Sequence, residues 1–305
     1  MKNNAFQEFM SVKFRRLLSG DPDGIPPWLD IIAAGDKPGY FMPTDAPWIV
    51  HRDFGTLVGG IRALLMQALH PGTLAGVAQH SRYEQDALGR LAGTIRWLTT
   101  TTFGSVDAVA GEASRVNRLH QRVTGEYTDA AGAAKSYRAA DEDLLLWVHA
   151  AFTDSFLTCH QMFAWRELPG GADAYVSLWS KSVEPLGLSR VPMSKAALDE
   201  YISSCINDGT LRVDETTLRV VKFIKRPPLP MVAGIAYRLL FAAAVASLRP
   251  EVQKMLGLKA LPLWFIQPLT RGALRFLNLL IGPESPIEEG ALRRLERIGL
   301  LDPSN

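Results

Sequence analysis

The groups in this sequence best suited to proton transfer or metal binding near neutral pH are six histidines, all between His51 and His160. Residues 161–305 contain none. His149 and His160 are eleven residues apart. On one helix they would share a face but stand about 16 Å apart at 1.5 Å per residue, too far to bind one metal ion. There is no His-Glu-x-x-His pair, and the Glu-x-x-His repeat of di-iron bundles is missing. Cys159 and Cys205 lie too far apart for a zinc or thioredoxin motif. The glycines form no phosphate-cradling loop, and no Gly-x-Ser-x-Gly elbow occurs.

A large cofactor that takes one imidazole and an apolar slot passes this filter. Haem b is such a cofactor, with an axial ligand on a rigid helix and cations to meet its propionates. His120 has Val116 at i−4 and Val123 at i+3, and His149 has Leu145 at i−4 and Phe152 at i+3. Both imidazoles therefore project from apolar helical faces. A core histidine bonded to a backbone group fits the same pattern, so spacing leaves the choice open. Arg90 and Thr94, at i and i+4, form a second cluster on one face. A buried Arg90 needs an anion, which a propionate or Asp86 supplies equally well.

The elements that must hold these groups are helical almost throughout. Phe6, Phe9, Met10, Phe14 and Leu17 mark a first amphipathic helix. The segment 20–47 is rich in Pro, Gly and Asp, with a short helix over 28–34. A mostly buried helix is expected over 56–69, and Pro71 starts the next. Ser81 with Glu84 reads as a capping box for a helix to about Thr101. Further helices are expected over 106–125, ended by Gly125, and over 143–165, capped by Asp141. The second half predicts helices over 172–184, 194–207, 216–223, 231–247, 263–281 and 286–298. No strand–helix alternation and no polar linker appear, so the expected fold is all-α, a single domain over 1–305.

Composition excludes some classes. With 47% hydrophobic residues and a net charge of +2, the chain is not disordered and has no broad basic footprint for nucleic acid. The N-terminus lacks a secretory h-region, and two distant cysteines suit a reducing, cytoplasmic setting. Residues 229–248 match the length of a bilayer span. They contain Pro230, Gly234 and Arg238, which favours a buried helix and leaves peripheral membrane contact open.

Read in order, several runs resemble one family. They are Gly59-Gly60; Ala63-Leu64-Leu65-Met66-Gln67 leading to His70-Pro71; His80-Ser81-Arg82-Tyr83; Gly89-Arg90-Leu91 with Thr94; Val116-Asn117-Arg118-Leu119-His120; and Tyr137-Arg138-Ala139 followed by Leu144 to His149. Together, across about residues 45–165, they resemble the bacterial rubber-oxygenase (latex-clearing protein) and MpaB catalytic domain, with a weaker likeness onward through Gly187, Pro192 and Tyr201.

The resemblance implies an all-helical haem b protein that uses dioxygen on a small hydrophobic, isoprenoid-like substrate, by double-bond cleavage or hydroxylation. It implies His120 as proximal iron ligand with His149 as the alternative, and Arg90 and Thr94 as cofactor-binding and catalytic residues. His70, at the break between two helices, is the distal candidate. Rubber oxygenase carries a distal Lys just before its Thr, and Gly93 stands there in this chain. That departure weakens the transfer of polymer cleavage. The redox partner is not legible. The rival expectation is a non-catalytic helical protein that binds an apolar ligand or haem as a sensor or carrier.

Overall fold

The computed structural model describes residues 3–80, 87–129, 131–282 and 285–302, without the side chains of 87–91 and 232. The first half holds α1 (Ala5–Ser19), α2 (Leu29–Ala33), α3 (Ala46–Arg52), α4 (Gly55–Gln67), α5 (Pro71–His80), α6 (Ala87–Phe103) and α7 (Val106–His120). A hairpin of β1 (Thr124–Thr128) and β2 (Ala134–Arg138) follows, and then the long α8 (Glu142–Phe163). The second half continues with α9 (Gly171–Trp179), a 3-10 segment (Ser180–Leu186), α10 (Lys195–Asn207), α11 (Glu215–Lys225) and α12 (Met231–Ser247). It ends with α13 (Pro250–Met255), α14 (Leu263–Ile281) and α15 (Pro286–Arg297). The fold is predominantly all-α, as expected.

Local chemistry sets most boundaries. Asn4 and Gln7 form a capping box at α1, and Gly20 ends that helix in the left-handed region at φ 69°. Ser194 Oγ accepts from Ala197 N at α10, and Asp214 caps α11. One expected boundary is corrected. The helix predicted over 106–125 stops at His120, and Gly125 lies in β1 opposite Tyr137. A Cβ at Gly125 would lie 3.0 Å from the Tyr137 ring, so glycine serves close packing there and not helix termination. The chain leaves α7 because Val123 O accepts from Ala139 N, which begins the hairpin. The expected cap at Ser81 lies outside the described residues.

α8 is the axis of the core. Trp147, Ala150, Ala151, Leu157, Cys159 and Phe163 are all fully buried, and the hydrophobic cluster around them takes residues from Phe41 to Leu274. α4 crosses α8 at Gly59, where a Cβ would lie 2.7 Å from Phe156 Cδ1 and 3.2 Å from its Cα. Beside this crossing, Arg62 donates to Asp154 at 2.7 Å and to Ser155 Oγ at 2.8 Å. Lys195 and Arg249 stand 3.8 and 3.9 Å from the other oxygen of Asp154. Burial alone would raise the Asp154 pKa, but these three cations hold it below the usual carboxylate value.

A second cluster joins the two ends of the chain. Trp28, Ile32, Trp48 and Phe103 pack against Ala291 and Leu295 of α15. Trp48 Nε1 donates to Glu288 at 2.8 Å, and Arg294 donates to the carbonyls of Ile32 and Phe103. Cys159 and Cys205 are buried free thiols. Among the described residues, no helix is long and apolar enough to cross a membrane.

Candidate functional site

His120 is the last residue of α7, where the helix gives way to the hairpin. α6 and α7 run antiparallel through a short turn, pinned by Arg96 to Glu112 at 2.8 Å, with Arg115 on the same carboxylate. Glu112 is buried, so this pairing fixes the azimuth of α7 and aims His120 at the space between α5, the hairpin and the start of α8. That space is a cavity of about 190 Å³. Val77, Val123, Leu144, Leu145 and Val148 give it apolar walls, while Gln67, Thr73 and Tyr137 add polar groups.

The six histidines separate by what their nitrogens touch. His51 is satisfied on both sides, 2.7 Å from Thr102 Oγ1 and 2.9 Å from Tyr175 Oη. His80 lies 2.7 Å from the Thr124 carbonyl and helps tie α5 to β1. His160 Nε2 lies 3.2 Å from the Arg166 carbonyl, while its buried Nδ1 has no partner among the described residues. His70 Nδ1 accepts the Gly72 amide at 3.2 Å, which satisfies one of the free N–H groups in the buried first turn of α5. His120 and His149 have no hydrogen-bond partner for their rings among the described residues, and His120 Nδ1 is buried. Burial lowers the His120 pKa, and Arg115 lowers it further. Burial alone pushes His149 down to about 4. Both imidazoles are therefore neutral at pH 7, the form that binds a metal.

The predicted site residues are only partly gathered. His120 is on the cavity wall. His149 is buried on α8, one residue past the lining Val148, and is not among the residues that line the cavity. His70 stands beside the lining residues Gly72 and Thr73 but does not itself line the cavity; its ring lies 6.4 Å from that of Trp147. Thr94 is half-buried on α6 and is also absent from the lining. Arg90 lies on α6, but its side chain is outside the described residues, as is Asp86. A Cβ at Gly93 would meet no described atom within 4 Å, so packing does not force glycine at that position.

The cavity's polar groups escaped the sequence reading. Thr73 Oγ donates to the Gln67 carbonyl at 2.8 Å, and Tyr137 Oη donates to Gln79 at 3.0 Å. The Gln67 amide has no hydrogen-bond partner among the described residues. Gln67 and Tyr137 fall within the runs that carry the resemblance, which was the available signal.

The donor set suits one axial ligand to a large planar cofactor better than it suits a small metal. A half-buried, neutral imidazole with a buried, unpartnered Nδ1 on an apolar wall is compatible with haem. Among the described residues, no three His, Cys, Asp or Glu side chains gather to hold a metal ion.

Fold and site thus define a helical protein with one unpartnered imidazole on an apolar cavity. Residues 48–279 match the family described as ER-bound oxygenase mpaB/B'/rubber oxygenase, catalytic domain, and the chain belongs to that family. No curated protein and no solved structure matches it.

Proposed function

We propose that this oxygenase-family chain is a haem b-dependent enzyme that oxidises a small hydrophobic, isoprenoid-like substrate with dioxygen, and that His120 is the proximal ligand. The observation that carries the reading is the His120 ring, neutral and with a buried unpartnered Nδ1, on the wall of an apolar cavity. Haem, when bound, supplies an iron centre that activates dioxygen toward a double bond or a C–H bond.

The chain's own residues supply the surroundings. His120 offers a lone pair without first losing a proton. Val77, Leu144, Leu145 and Val148 exclude water and hold an apolar chain. The Gln67 amide is free to orient a polar atom of the substrate. Arg90 and Thr94 are assigned as cofactor-binding and catalytic residues by family resemblance, His70 is the distal candidate by its position at the break between α4 and α5, and His149 is the alternative ligand.

The test is spectroscopic. Purified protein supplemented with haem should show a Soret band and bind haem stoichiometrically. His120→Ala should lose both, and His149→Ala should keep both. The opposite pattern would transfer the ligand role to His149, and absence of any haem binding would sink the cofactor assignment. Dioxygen consumption with a panel of short isoprenoids then separates an oxygenase from a haem carrier.

A further inference from the structure

The outer surface of α14 is unlike that of the other helices. Its buried side is Ile266, Thr270, Leu274 and Ile281. Its outward side exposes Trp264 at 78%, Phe276 at 62% and Leu279 at 64%, with Phe265 and Leu269 also exposed. The neighbouring helices extend this surface. α1 packs against α14, with Asn3 Nδ2 on the Ile281 carbonyl and Gln7 Nε2 on the Leu279 carbonyl, and it exposes Phe6 and Phe9. α12 packs on the same helix and exposes Met231 and Ile235. Aromatic and aliphatic side chains exposed together in this way mark an interaction surface.

Charge identifies what the surface fits. Residues 216–282 carry ten Lys and Arg against a single acidic residue, Glu251. The rest of the chain carries 33 − 10 = 23 basic and 31 − 1 = 30 acidic residues, so the positive charge is gathered in this segment. Nine of the ten cations are exposed; the tenth, Arg249, is only part-buried and pairs with Asp199 and Asp154. On α14 itself, Arg271 and Arg275 flank Trp264 on the helix face, and the helix has no acidic residue. Both guanidinium groups border a depression of about 250 Å³, with Ala164, Trp165 and Gly272 completing it. Arg271 Nε is held by the Met162 carbonyl at 2.8 Å, which pre-orients its remaining N–H donors, and Arg275 has no partner among the described residues.

We propose that this face docks on an anionic phospholipid surface. Trp264, Phe265, Leu269 and Phe276 enter the interface between headgroups and acyl chains, and Arg271 and Arg275 take a headgroup phosphate in the depression beside Trp165. An amphipathic helix with aromatic residues, flanking arginines and no acidic group is the arrangement that lies in a bilayer surface. Forked guanidinium donors suit phosphate oxygens. A second protein copy would bring the same positive charge to the contact, which disfavours self-association here.

Co-sedimentation of the full chain with vesicles tests the assignment. Vesicles of phosphatidylcholine mixed with phosphatidylglycerol should bind the protein at low ionic strength, and phosphatidylcholine alone should bind it at least tenfold less. Arg271→Gln with Arg275→Gln should lower partitioning to the anionic vesicles about tenfold or more, given about fivefold per basic group. Trp264→Ser with Phe276→Ser should abolish it. All four positions are exposed, so an unchanged circular dichroism spectrum and Tm would show that these variants still fold. Absence of binding to anionic vesicles, or binding that the variants leave intact, overturns the proposal. So does a wild-type dimer in light scattering that Trp264→Ser with Phe276→Ser converts to monomer without any vesicle binding.

Discussion

His51 and His149 are buried and His120 is half-buried, and their surroundings give them different consequences. His51 is pushed down to about 3 by burial, with His160 adding to the effect. Its folded pKa lies below the unfolded value of 6.5, so the unfolded chain binds the extra proton first. Its contribution to stability is therefore complete above pH 6.5 and is lost as pH falls toward 3. The loss amounts to about 3 kcal/mol between pH 6.5 and pH 4 at 1.36 kcal/mol per pKa unit. Urea unfolding across that range should show this slope, and His51→Gln should flatten it; an equal slope in both proteins would refute the assignment. Burial also pushes the Cys159 thiol up to about 11. Neither cysteine should react with a thiol reagent in the native state, and both should react in denaturant. The choice between His120 and His149 was not legible in the sequence, because both have apolar neighbours at i−4 and i+3. It depends on which ring reaches a cavity that three separate elements build.

At the scale of elements, the α4–α8 crossing and the Arg62–Asp154 pair beside it hold the core. Gly59→Ala would press a methyl group against the Phe156 backbone and should cost about 1–3 kcal/mol of unfolding free energy in denaturant titrations. Asp154→Ala leaves Arg62 buried without its carboxylate and should cost about 3–5 kcal/mol. Replacing both partners with apolar residues should recover much of that loss. The ends of α12 and α14 were readable to the residue, because Pro230 and Pro262 precede them and Gly282 closes the latter. The hairpin was missed. Its strands are short and mostly exposed, so they carry no apolar alternation, and Gly125 resembles a helix stop as much as a packing site. α13 was missed for the same want of length. The Arg90 cluster stays an expectation, since the Arg90 side chain lies outside the described residues.

At the scale of the whole molecule, α8 separates two regions. The His120 cavity uses Leu144, Leu145 and Val148 near its start, and Arg271 of α14 meets the Met162 carbonyl near its end. Seventeen residues from Leu145 to Met162 span about 25 Å. With that separation, docking through α14 is expected to leave the cavity uncovered, and haem uptake should proceed at the same rate with and without anionic vesicles. Stopped-flow absorbance checks this, and a rate that falls as vesicles are added would contradict the geometry.

The cluster that joins the chain's ends bears on where the protein can be cut. The family match covers 48–279. Trp28 and Ile32 lie before it, and Ala291, Leu295 and the Arg294 anchor lie after it. A fragment trimmed to the match would begin at Trp48 without the Glu288 carboxylate that its indole donates to, and would bare the ring of Phe103. Such a fragment should be insoluble or molten, while the full chain unfolds cooperatively. The boundaries of ancestry and of mechanical integrity differ in this molecule, and an expression design has to follow the second.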